Sequence, residues 1–118
     1  MFESGYEKFG CAVYDLAASV KSIKERLRIA ADHISRLREE NVPEEMRDEF
    51  NRLIERITSG KPVDHEGTVN ATVNQISEAE AVAIAGDIVS FNDDLILWRG
   101  RNWEKQPPEI PLASTDVQ

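Results

Sequence analysis

From Phe2 to Leu37 apolar residues recur at alternating steps of four and three: Phe2, Tyr6, Phe9, Val13, Leu16, Val20, Ile23, Leu27, Ala30, Ile34 and Leu37. A period of 3.5 sets all eleven on one stripe of a helix, and no Pro interrupts the segment. At 1.5 Å per residue the pattern predicts a single helix about 54 Å long. A stripe sustained over that length needs a partner helix to cover it. Residues flanking the stripe are small in the first half (Gly5, Gly10, Ala12, Ala17, Ser19) and, Ala31 apart, long or charged in the second (Lys24, Arg26, Ala31, His33, Arg38). The first half is therefore expected to pack more closely than the second.

Asn41-Val42-Pro43-Glu44-Glu45 ends this helix and begins another, with Pro at the first helical position and acids facing the positive end of the dipole. The second helix is expected from about Pro43 to Thr58, burying Met46, Phe50, Leu53 and Ile57, and Gly60 is expected to close it in a left-handed conformation. After a loop over Lys61–Gly67 the pattern is helical again but changes phase. Val69, Val73 and Ile76 form one stripe; Ala81, Ile84, Ile88, Phe91, Leu95 and Trp98 form another. Ser77 with Glu80 three residues later is a capping box, which favours a break at Ser77 and a third main helix running to about Gly100. Beyond it the Pro-rich stretch around Pro107, Pro108 and Pro111 predicts an extended tail.

The expected architecture is an all-α antiparallel bundle of three main helices over residues 1–100, with a tail over 101–118. Two shorter helices cannot cover so long a first helix, so the remaining stripe predicts a homodimer. The expected interface residues are Phe9, Val13, Leu16, Val20, Ile23, Leu27 and Ile34 on the stripe, with Trp98, Arg101 and Trp103 at the far end of the chain. Trp and Arg are the types enriched where binding energy concentrates. Lys105, Pro108 and Pro111 also fit a spacing used by polyproline ligands.

Charge narrows the range of partners. The net −8 is uneven: +2 over residues 1–38, −4 over 39–59, −6 over 60–98 and zero thereafter. That distribution suits helices with complementary flanks and disfavours nucleic acid, which demands a net basic face. Lys21, Lys24, Arg28, Arg36 and Arg38 form a basic stripe, but Glu25 and Asp32 interrupt it. No stretch is apolar enough for a membrane span. A single Cys11, and a first segment without the features of a signal peptide, give a cytoplasmic location as the expectation.

Candidate chemistry is sparse. His33 and His65 have no ligand at helical spacing, and Asp64-His65-Glu66 sits in a turn. No cofactor or metal set is assigned. The acids Glu44-Glu45-Met46-Arg47-Asp48-Glu49 resemble the first motif of the all-α nucleotide pyrophosphohydrolases of the MazG type, a doublet followed by another acid one turn on. The resemblance covers about five residues and implies Mg²⁺ held by Glu44, Glu45, Asp48 and a third-helix acid such as Asp87. The second motif of that family, Glu-x-x-Asp, meets Glu80-Ala81-Val82-Ala83 here, with Ala at the Asp position. The preferred expectation is a non-enzymatic protein-binding protein, an adaptor, inhibitor or regulatory subunit. The Mg²⁺-dependent hydrolase and a purely structural oligomerisation module are the alternatives.

Overall fold

Three phenylalanines from three different helices meet at the centre of the molecule. A computed structural model describes residues 2–63 and 65–103. Among these the chain is all-helical: α1 (Glu3–Ala17), α2 (Ile23–Ile34), two short 3₁₀ turns, α3 (Arg47–Ile57), α4 (Thr68–Gln75) and α5 (Glu78–Arg101). Phe9 of α1, Phe50 of α3 and Phe91 of α5 are all fully buried, with ring centroids 4.7 Å (Phe9–Phe91), 6.1 Å (Phe50–Phe91) and 6.3 Å (Phe9–Phe50) apart. Both α1 and α3 run antiparallel to α5. Phe2 meets Trp98 where Phe9 meets Phe91, and Glu45 meets Trp98 where Arg56 meets Asp87.

The single long N-terminal helix expected from the stripe does not form. The chain leaves the helix after Ala17 and re-enters it at Ile23, and α2 folds back against α1. The break is built from side chains. Ser22 Oγ accepts the Glu25 N–H (3.2 Å), capping α2. Arg26 Nη1 donates to the Leu16 carbonyl (2.7 Å), an acceptor orphaned at the end of α1, and Nε to the Lys21 carbonyl (2.9 Å) in the turn. Because the 3.5 period continues in phase through the turn, both arms still bury the same stripe. Phe9, Leu16, Leu27, Ala30 and Ile34 are buried, Tyr6, Val13, Ile23 and Leu37 are partly buried, and Val20 at the turn is fully exposed. The helix that covers the stripe is largely the stripe's own other half.

Phe9, Leu16, Leu27 and Ile34 belong to the core of a single chain, and the long uncovered stripe that motivated association through the first helix is absent. Nor is the second arm the more open one, since Leu27, Ala30, Ala31 and Ile34 are as buried as Phe9 and Ala12.

The second and third stripes fall where expected. Met46, Phe50, Leu53 and Ile57 are buried, as are Ala81, Ile84, Ile88, Phe91 and Leu95, and Ser77 Oγ caps α5 by accepting the Glu80 N–H (3.1 Å). α4 and α5 are separate helices. Gly60 acts through its size rather than through a left-handed backbone. A Cβ there would stand 2.4 Å from the Thr72 nitrogen. Instead the Gly60 N–H donates to Thr72 Oγ1 (2.7 Å), whose hydroxyl donates to the Thr68 carbonyl (2.7 Å), tying α3 to α4. Gly5 likewise lets α1 approach the Asn41 carbonyl, where a Cβ would lie only 2.2 Å away, whereas Gly10 faces open space. The Pro-rich tail from residue 104 lies outside the described residues.

The fold-back predicts a sharp contrast between neighbours on one sequence stripe. Val20→Asp should leave the urea midpoint almost unchanged, within about 0.5 kcal/mol, whereas Leu27→Ala should remove about 2–5 kcal/mol. Equal sensitivity at both positions would contradict the break.

Candidate functional site

The core takes up one side of α5 and leaves the other side open. A helix with apolar residues all round is normally buried on all sides. On α5, Val82, Val89 and Ile96 follow one another at steps of seven and are 57, 37 and 58% exposed, and Trp103, 65% exposed, follows seven residues on, just past the end of the helix. Gly86, Asp93 and Gly100 lie on the same face, which repeats at steps of four and three from Val82 to Gly100. Leu97, at its edge, is 53% exposed. A Cβ on Gly86 or Gly100 would meet nothing within 4 Å. Packing within one chain therefore does not require glycine at either place, although mid-helix glycine costs about 1 kcal/mol against alanine.

This face was legible in the sequence but outcompeted. Val82, Val89, Ile96 and Trp103 repeat as regularly as the core stripe, and of these only Trp103 is among the interface residues expected from the sequence. Trp98, expected in the same role, turns inward instead. Its ring packs edge-on to Phe2 (5.5 Å), and its indole N–H donates to Glu45 Oε2 (2.8 Å). Arg101 is exposed in the last turn. Val13 and Ile23 pack against the core.

A groove between α3 and α5 is lined by Glu49, Arg52, Leu53, Arg56, Asp87 and Phe91. Asp87 forms an ion pair with Arg56 there. The acids suggested for Mg²⁺ are thus divided, with Glu45 accepting from Trp98 and Asp87 facing Arg56. Among the described residues no three His, Cys, Asp or Glu side chains are placed to hold a metal ion together. Much of the basic stripe is engaged locally: Lys24 Nζ donates to the Ile76 carbonyl (2.9 Å), Arg28 pairs with Glu25, and Arg36 lies 3.5 Å from Asp32.

A second, shallower groove runs along α1 past Tyr6, Gly10, Cys11, Tyr14, Asp15 and His33. His33 Nε2 and Asp15 Oδ2 are 2.6 Å apart, joining α2 to α1, and Cys11 is exposed. The Tyr6 ring lies under the Arg99 guanidinium, 4.6 Å from its centroid. Its hydroxyl is buried without a hydrogen-bond partner among the described residues. Burial pushes the Tyr6 phenol above its ordinary value, Arg99 pulls it down, and Glu3 pushes it up. No protein-family model, curated protein or solved structure matches this chain. Among the described residues no helix is long and apolar enough to cross a membrane.

Tyr6→Phe removes an orphaned hydroxyl and should be neutral or stabilising by about 1 kcal/mol at neutral pH. The raised phenol also sets a sign. Its contribution to stability is intact below the ordinary value of 10.0 and is lost as pH climbs through the higher folded value. The advantage of Tyr6→Phe in denaturant titrations should therefore widen above pH 10.0. A gap that narrows there would refute the burial of this hydroxyl.

Proposed function

We propose that this chain is a small acidic, non-enzymatic protein-binding protein that docks onto another polypeptide through the outer face of α5. The observation that carries the reading is the exposed row Val82, Val89, Ile96 and Trp103, interleaved with glycines that the fold itself does not need. Rows of this spacing bury themselves by pairing with a second helix, and glycine between large residues lets the two backbones come close. Trp103 supplies a large aromatic anchor at one end of the row.

Charge supports a protein over a nucleic acid as the occupant. Glu78, Glu80, Asp87, Asp93 and Asp94 outnumber Arg99 and Arg101 along α5, which would repel a phosphate backbone. Regulatory and adaptor roles belong to this class of protein.

A photo-crosslinking amino acid placed at exposed Ser90, beside the row, should capture a protein in cells, and Ile96→Glu should abolish that capture. The same group at exposed Glu55 on α3 should capture far less. Protein crosslinks from position 55 but none from position 90 would contradict the reading.

A further inference from the structure

We propose that the occupant of the α5 face is a second copy of this chain, the two α5 helices packing antiparallel; this rests on the reading that the face binds a helix. Two features of α5 select that partner. The first is the order of large and small positions. One register sets Ile96 over the second copy's Gly86 and Val82 over the second copy's Gly100. Two-fold symmetry then repeats both contacts, so a single sequence supplies knobs and holes for both helices. Both glycines are open to solvent on the required face, as are Val82 and Ile96.

The second feature is the distribution of charge. The first turn of α5 carries Glu78 and Glu80, and its last turn carries Arg99 and Arg101. An antiparallel pair brings the acidic first turn of each helix towards the basic last turn of the other and sets the two helix dipoles head to tail. A parallel pair would set acid on acid at one end and Arg on Arg at the other. Asp93 interrupts the row near its middle, and a single polar position on such a seam lowers stability while fixing register. The pairing is therefore reversible, forming and dissociating with concentration.

Sedimentation equilibrium of the full chain, from micromolar to submillimolar concentration, should show a monomer–dimer equilibrium. Ile96→Glu, at an exposed position, should raise the dissociation constant at least tenfold with an unchanged circular dichroism spectrum. Gly86→Leu provides the more specific test, because it should weaken the dimer at least tenfold while raising the melting temperature of the monomer. Spin labels at Ala79 in a Cys11→Ser background report orientation. Antiparallel helices should separate the two labels by about 36 Å, the length of α5, against about 10 Å for a parallel pair. A monomer at every concentration, a dimer indifferent to both substitutions, or the short distance would each overturn the proposal. A monomeric purified chain whose position 90 still captures a foreign protein in an Ile96-dependent way would overturn self-pairing alone and leave the binding reading intact.

Discussion

The contact of Phe9, Phe50 and Phe91 is the constraint on which the remaining structure depends. These rings come from three helices far apart in sequence, and burying all three requires α1 and α3 to lie against the same side of α5. Once that side of α5 is occupied, the N-terminal arm can extend no further without leaving the core. The chain turns at Ala18–Ser22, and α2 brings Leu27, Ala30 and Ile34 back into the same core. Burial of large aromatic side chains is the strongest single driving force available to a chain of this size. Helix propensity through the turn, worth a few tenths of a kcal/mol per residue, is too weak to oppose it.

The positions of the apolar stripes, the capped start of α5 and the separation of α4 from α5 could be read directly from the sequence, because periodicity and caps are local. The fold-back was encoded too. Ser22-x-x-Glu25 has the same spacing as Ser77-x-x-Glu80, but it lies within a stripe whose phase never slips. A period of 3.5 records which residues face inward and is silent about whether the helix between them is continuous. The tight approaches at Gly5 and Gly60 were not legible, because what they touch, the Asn41 carbonyl and the Thr72 backbone, is set by tertiary packing. The α5 row was visible as a spacing. Only the structure distinguishes it from the core stripe, since both are apolar and only one is covered.

Function moves accordingly along the chain. With the N-terminal stripe closed within one molecule, the outer side of α5 is an apolar face without a partner among the described residues. It combines apolar side chains, unrequired glycines and end charges of opposite sign. Two of the acids that resembled half of a metal site have side-chain partners in the fold: Glu45 accepts from the Trp98 indole, and Asp87 pairs with Arg56 across the α3–α5 groove. The reading as a binding protein thus rests on what the fold leaves uncovered, and that depends on the N-terminal stripe being closed.

Closure of the stripe is best tested by one distance. Spin labels at exposed Ser4 and Glu40, in a Cys11→Ser background and diluted with unlabelled chain, sit at the two ends of the N-terminal segment. The fold-back that sets Gly5 against the Asn41 carbonyl predicts a short separation, within about 20 Å once label linkers are included. A continuous helix would hold the labels about 54 Å apart. The long distance would reopen the first stripe as the association surface and contradict the account.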